Sequence, residues 1–403
     1  MPRGWMEAGS PCDPRVALAA GGRRRAQPNT MITRLYADNY RCFVDFELHL
    51  DALSLLLGMN RTGKSSVLDI VFALRELLGG RTAVNGKAAF PPSTLTRWQS
   101  RNSQAFEMDV ELEGGAYSYR LEVEHFRERR VARIQREQLT MNGDTLFEFV
   151  NGEVQLYRDD LSKGPSFSSD RVVSSLARVT PGKDNRNLSR FQDFARNIIV
   201  CGLQPGVFAT ESATEDDLLD RDGRNFVGWY RNLAQERPDL IAEYTKTMQG
   251  VLHGFRGIRL QKAGMDTRAL MMVFHEADED YALRFGEVSD GQRMLVVLYA
   301  LICLAVGQRH TLFLDEPMNF VALREVQPWL QELSDLCGES LSQAVLCSHH
   351  PVIVDYLGSD RGRLLRRDSS GATRADRVAT VLHGSPSDNG LKLSELFARG
   401  WES

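Results

Sequence analysis

Residues 53–66 read Leu53-Ser54-Leu55-Leu56-Leu57-Gly58-Met59-Asn60-Arg61-Thr62-Gly63-Lys64-Ser65-Ser66. The segment Leu53 to Leu57 is a nearly continuous apolar run, the pattern of a strand buried on both faces. Gly58 to Ser65 fits G-x-x-x-x-G-K-[ST] at every fixed position. Beyond it, Val67, Leu68, Val71, Leu74 and Leu78 share one helical face, and Gly79-Gly80 closes the helix. A buried strand, a glycine-bearing turn and a helix in that order make a phosphate cradle. The glycines let the backbone curl so that its N–H groups converge on oxygen. Lys64 brings a cation, Ser65 offers a hydroxyl to Mg²⁺, and the helix start adds its positive dipole end. The pattern predicts that Gly58, Asn60, Thr62, Gly63, Lys64, Ser65 and Ser66 hold the phosphates of ATP, with Mg²⁺.

Three later segments extend this reading. Thr311-Leu312-Phe313-Leu314-Asp315-Glu316-Pro317 is a buried strand that ends in two carboxylates. Asp315 suits a Mg²⁺ ligand, and Glu316 suits a base that orients and polarises an attacking water. Ser289-Asp290-Gly291-Gln292 stands directly before an apolar helix, a second helix start that favours an anion. Its plainer reading is an N-cap by Ser289 or Asp290. The strand-like run Ala344 to Cys347 ends in Ser348-His349-His350-Pro351. Ligands sit at the carboxyl ends of parallel strands, so His349, with His350 as the alternative, is a candidate to face the phosphates.

In this order the four segments resemble the ABC-type head ATPases of the SMC, RecF and OLD group. The closest likeness is to small bacterial AAA-family, RecF-like ATPases without a Toprim domain. Ile32 to Phe43 is similar to their opening strand and its "N-F-R" turn, which makes Asn39 and Arg41 candidate nucleotide contacts. The resemblance spans most of residues 31–357. It implies an α/β P-loop NTPase fold: a mixed or parallel sheet core, an N-terminal antiparallel β subdomain and a helical insertion. It implies catalytic roles for Glu316 and His349, and Mg²⁺ held by Ser65 and Asp315. It implies that Ser289, Asp290, Gly291 and Gln292 act in trans on ATP held by a second copy. The expected function is then ATP hydrolysis driving a dimerisation-coupled switch in DNA repair or phage defence. DNA and an effector nuclease, or another protein encoded nearby, are the candidate partners beside the homodimer. The alternative is the nucleotide-binding subunit of an ABC transporter. Against it stand a helical region between Leu188 and Phe255 larger than such subunits usually have, and the continuation Arg293-Met294-Leu295 after Gln292.

The sequence departs from the family pattern in places. Asp290 stands where many relatives have glycine. Met318 to Leu323 lacks the trailing aspartate of the D-loop. The Q-loop glutamine has no clear motif, and Gln99 and Gln104 are its candidates. After His350 there is no acidic cluster of the Toprim kind, so the chain is not expected to cut nucleic acid itself.

Composition sets the remaining bounds. The 403 residues are 42% hydrophobic and 25% charged, with a formal net charge of −4; a protein held to nucleic acid by overall charge is usually basic, so DNA contact would have to come from a local patch or from a partner. His125 to Arg136 is one arginine-rich stretch, readable as a DNA-backbone contact or as a solvated hairpin. The 6 cysteines show neither C-x-x-C nor zinc spacing and are expected to be reduced thiols in a cytoplasmic protein. The longest apolar run, Met294 to Val306, is too short to span a bilayer, and no membrane partner is expected. The chain divides into 1–30, a disordered tail or mis-assigned start; 31–186, the first half of the head with the β subdomain; 187–260, a helical lobe; and 261–403, the second half with a C-terminal extension.

Overall fold

The computed structural model describes residues 30–305, 310–383 and 392–400. The expected tail therefore lies outside the described residues, Thr30 apart. In chain order the elements are β1 (Met31–Asp38), β2 (Phe46–His49), β3 (Leu53–Leu57) and α1 (Lys64–Leu78). Next comes a meander of β4 (Ser103–Leu112), β5 (Gly115–Phe126), β6 (Val131–Met141), β7 (Asp144–Val150), β8 (Glu153–Tyr157) and β9 (Lys163–Ser168). After it come α2 (Arg186–Arg196), β10 (Ile198–Cys201), β11 (Glu211–Ser212), α3 (Phe226–Glu236), α4 (Pro238–Val251), β12 (Phe255–Lys262), β13 (Arg268–Glu276) and β14 (Glu279–Arg284). The last part holds α5 (Asp290–Ala305), β15 (Thr311–Asp315), α6 (Leu323–Leu336), β16 (Gln343–Cys347), α7 (Pro351–Arg361), β17 (Gly362–Arg367), β18 (Thr373–Arg377), α8 (Val378–His383) and α9 (Leu393–Ala398).

The central sheet runs β10-β15-β16-β3-β17-β18. Its pairs are parallel except for the antiparallel edge strand β18. The apolar strands read as continuous runs because both faces are covered. Leu53, Leu55, Leu57, Leu312, Leu314, Ala344 and Leu346 enter one core, which α5, α6 and α7 close. Leu56, Phe313, Val345 and Cys347 point to the other face, where α1 lies. Beyond α1 is an eight-stranded antiparallel sheet, β2-β1-β4-β5-β6-β7-β8-β9. Its strands alternate buried and exposed residues, as in β4, so one face packs on α1 and the other meets solvent. Being covered from two sides, α1 buries Val67, Leu68, Ile70, Val71, Ala73 and Leu74 in succession, and not a single stripe.

The stretch expected as a helical lobe divides differently. Helix α2 packs Phe191 against the rings of Tyr117 and Tyr119, 6.1 and 5.7 Å between centroids, so it belongs with the antiparallel layer. Strand β10, unforeseen inside that stretch, enters the central sheet. A four-residue apolar run following an amphipathic helix carries no period of its own, so the pattern did not separate it. The lobe proper is α3 and α4 against a small sheet of β11 to β14, in which β13 pairs with the other three. Its strand β12 was also unforeseen, since its residues are mostly half-exposed without clear alternation. Strands β17 and β18 carry the central sheet beyond residue 357, the end of the span over which the family resemblance runs. The arginine-rich stretch His125 to Arg136 forms the end of β5, a turn and the start of β6; Arg127, Arg129 and Arg130 are exposed at that turn.

Candidate nucleotide site

The turn between β3 and α1 takes its shape from left-handed backbone. Gly58, Arg61 and Gly63 have φ of 138°, 70° and 107°. A Cβ at Gly58 would stand 2.3 Å from Leu365 O, and one at Gly63 would stand 2.7 Å from the Phe43 ring. Both positions are therefore closed to any other residue by conformation and by space. Inside the turn, Lys64 Nζ donates to Gly58 O at 2.6 Å and Met59 O at 3.1 Å, and Thr62 Oγ1 donates to Met59 O at 2.9 Å. From outside, Arg367 Nε and Nη2 donate to Arg61 O at 3.2 and 3.0 Å, and Thr373 Oγ1 donates to Thr62 O at 2.8 Å. Burial holds the Lys64 ammonium below its usual pKa, while the neighbouring Cys347, Glu316 and Asp315 pull it back up.

This turn opens on a cleft of about 1090 Å³ whose walls include Asn60, Gly63, Lys64, Ser65, Ser66, Arg41, Asp290, Asp315, Glu316 and His349. Parallel register produces the meeting. Asp315 pairs with Cys347 across β15 and β16, and Cys347 with Leu56 across β16 and β3, so three strands end side by side beneath the P-loop. Glu316 follows with φ 45°, an uncommon left-handed value for a non-glycine residue at a strand end. Its N–H donates to Cys347 O at 2.8 Å. Its Oε2 accepts from Ser348 Oγ at 3.1 Å and from His349 N at 3.3 Å, and its Oε1 is 3.8 Å from His349 Nε2. One carboxylate oxygen is thus fixed by two donors, and the other is directed towards the half-exposed imidazole.

The signature segment is folded on itself. Ser289 Oγ accepts from Gln292 N at 3.3 Å, and Gln292 Oε1 accepts from Ser289 N at 3.2 Å. This is a capping box, so the N-cap reading holds for the single chain. Asp290 pairs with Arg293, whose Nη1 donates to Pro205 O at 2.7 Å. A Cβ at Gly291 would stand 2.9 Å from Phe320 O, so the start of α5 packs directly on the turn after Glu316. Asp290 reaches the cleft wall; Ser289, Gly291 and Gln292 do not line it.

Two sequence expectations are corrected. Asn39 is fully buried. Its Nδ2 donates to Arg101 O at 3.0 Å and Ser103 O at 2.8 Å, which fixes the turn, and the residue does not line the cleft. Arg41 does reach the cleft, paired with Asp69 of α1. Gln104 is buried, its Nε2 donating to Asn39 O at 2.9 Å, and neither it nor Gln99 lines the cleft. The glutamine at the site is Gln204, which follows β10 and is exposed on the cleft wall. A Cβ at Gly202 in the same loop would stand 3.6 Å from Asp315 Cβ. Recognising Gln204 from sequence required seeing β10 as the strand beside β15. His350 is not on the wall; it precedes α7, with its N–H donating to Ser348 Oγ at 3.1 Å.

The donor set fits a nucleotide triphosphate with Mg²⁺. The cradle is one that a Cβ would fill, its lysine lies beside two carboxylates, and Ser65 exposes its hydroxyl to the same cleft. Among the described residues no three His, Cys, Asp or Glu side chains gather as a metal site. That suits an ion completed by phosphate oxygens and water, as Mg²⁺ commonly is.

Comparison with known proteins agrees with this geometry. The model of the family described as "AAA domain, putative AbiEii toxin, Type IV TA system" matches residues 53–355. No curated protein matches. Among solved structures, an SMC head bound to the C-terminal winged-helix domain of ScpA superposes with TM-score 0.53 at 11% identity, covering 86% of this chain and 97% of that one. The Smc head with an extended coiled coil bound to the C-terminal domain of ScpA, from Pyrococcus furiosus, gives 0.50 at 10% identity, covering 88% and 99%. At such identities the likeness shows the fold alone, that of an SMC head domain.

Proposed function

The chain belongs to the AbiEii-type AAA-domain family, and from that premise we propose that it binds ATP with Mg²⁺ and hydrolyses it as one half of a two-copy switch. The observation that carries the reading is the meeting of Lys64 and Glu316 on one cleft, with Glu316 held by Ser348 and by the His349 N–H. Lys64 and the P-loop amides would bind the β- and γ-phosphates. Ser65 and Asp315 would hold Mg²⁺, which when bound neutralises phosphate charge. Glu316 would accept a proton from the attacking water as the water oxygen bonds to the γ-phosphorus and the bond from that phosphorus to the β,γ-bridging oxygen breaks, so that ADP leaves and phosphate is released. His349 stands where it can donate to the departing phosphate, and Gln204 takes the Q-loop place.

The two-copy part rests on surface. Val207 and Phe320 on the cleft wall and Leu323 beyond it are 43, 45 and 66% exposed, and Ser289 and Gln292 cap each other at the start of α5. A second copy would cover these residues and bring Ser289 to the first copy's phosphates. The eight-stranded antiparallel sheet and the likeness to SMC heads support a head of this kind over a transporter subunit. By analogy with those heads, which bind ScpA, the output is read by a partner protein; DNA repair or phage defence is the setting proposed. Among the described residues no helix is long and apolar enough to cross a membrane, and a cytoplasmic location is proposed.

The test is Glu316→Gln. ATP binding should persist while steady-state hydrolysis falls by about 10²-fold or more, the lower range for loss of a general base. Hydrolysis at the wild-type rate would reject Glu316 as the base.

A further inference from the structure

Trp98 is 47% exposed although the loop bearing it is tightly held. Arg41 N donates to Thr94 O at 2.7 Å and Thr96 N to Asn39 O at 3.3 Å; Thr96 Oγ1 donates to Phe43 O at 3.3 Å. An indole left half open on a rigid loop keeps part of a large apolar face in water, and within the chain it makes a cation–π contact. That contact is with Arg367, whose guanidinium lies 5.6 Å from the ring centroid. The same guanidinium donates to Arg61 O in the P-loop at 3.0 Å. One side chain therefore links the indole to the phosphate cradle, and Trp98 lines the same cleft as Lys64 and Ser65. Gly371 leaves room at the ring edge: even a Cβ there would come only to 3.9 Å of Trp98 Cζ2.

We infer that the Trp98 indole is the stacking platform for the nucleobase of the bound nucleotide. The inference deepens the ATP reading of this cleft and rests on it. A nucleoside is the part of ATP that the P-loop, the carboxylates and His349 leave without a partner. Planar, apolar and close to the cradle, the indole offers the π-face that a base stacks on. With Arg367 on one side and the base on the other, the ring is layered between a cation and an aromatic. Stacking of this kind favours a purine over a pyrimidine by overlap, and any base over none.

The experiment compares ATP, ADP and inorganic tripolyphosphate, each with Mg²⁺, on the full chain and on Trp98→Ala and Trp98→Phe, by equilibrium binding. Trp98→Ala should weaken ATP and ADP about tenfold or more, the usual scale for losing an aromatic under a base, and leave tripolyphosphate binding within twofold. Trp98→Phe should restore most of the loss. Equal losses for ATP and tripolyphosphate would mean a damaged cradle and overturn the platform. Unchanged ADP affinity with loss only of ATP-driven self-association would make Trp98 a contact for a second copy, and would overturn it too. If the unaltered chain bound none of the three, the nucleotide reading of the cleft would fall first and the platform with it. Tripolyphosphate binding that survives while ATP gains nothing from Trp98 rejects the platform alone.

Discussion

At the scale of single residues, His125 shows how a polar group can be folded in without charge. It is buried at the end of β5, with Nε2 2.9 Å from Gln104 Oε1 and no partner for Nδ1. The neutral tautomer with its proton on Nε2 satisfies this arrangement; a second proton would have no acceptor. Burial, with Arg127 nearby, pushes its pKa from the usual 6.5 down to about 4. The folded pKa is the lower one, so the unfolded chain binds more protons between those values. The contribution is complete above pH 6.5 and is lost as pH falls towards 4, about 3 kcal/mol in all. Urea unfolding across that range should show a smaller loss for His125→Asn than for the unaltered chain; parallel pH slopes would count against the assignment. Residues of this kind were hidden in the sequence, where His125 read only as the start of an arginine-rich stretch. Lys64, Ser65, Asp315 and Glu316 were legible because their chemistry is written in contiguous strings. Gln204 and Trp98 were not, because each gains its place from an element distant in sequence.

At the scale of elements, the P-loop is the product of a distant hairpin as well as of its own glycines. The β17–β18 hairpin supplies Arg367 and Thr373, which hold the carbonyls of Arg61 and Thr62, and Leu365 O closes over Gly58. The β3 and α1 boundaries were readable from apolar period and glycine punctuation; this buttress, some 300 residues further along, was not. Thr373→Val keeps the shape of the side chain and deletes the donor. A net hydrogen bond is worth about 1 kcal/mol, so ATP affinity should fall about fivefold, with turnover at saturation little changed. An unchanged KM beside a lowered melting temperature would show that Thr373 stabilises the sheet without shaping the cradle. The lobe boundary failed for a related reason: Ile198–Cys201 is too short to declare its period, and only its pairing with β15 makes it the edge strand of the central sheet.

At the scale of the whole molecule, the cleft keeps apolar side chains, Val207 and Phe320, exposed on its wall. Asp290 touches it, while Ser289 and Gln292 are turned onto each other and Phe320 stays exposed. Two copies in opposed orientation would complete the enclosure. Light scattering of Glu316→Gln should show a shift from monomer to dimer on adding ATP but not ADP. Ser289→Arg, which places bulk and charge at the contact, should block that shift while ADP still binds. A monomer at every ATP and protein concentration would remove the two-copy reading.

The order of the central sheet carries one more consequence. Strand β3 is made early, yet both of its neighbours, β16 and β17, come from the last quarter of the chain. During synthesis the all-β meander can pair strand by strand as it leaves the ribosome, whereas Leu53–Leu57 emerges with nothing on either side. Until Gln343–Cys347 and Gly362–Arg367 follow, the growing chain carries an unpaired apolar strand of the type that aggregates. The phosphate cradle, begun near the start, is thus among the last parts of the molecule to be finished. A truncated product keeps the motif in its sequence without being able to build the site.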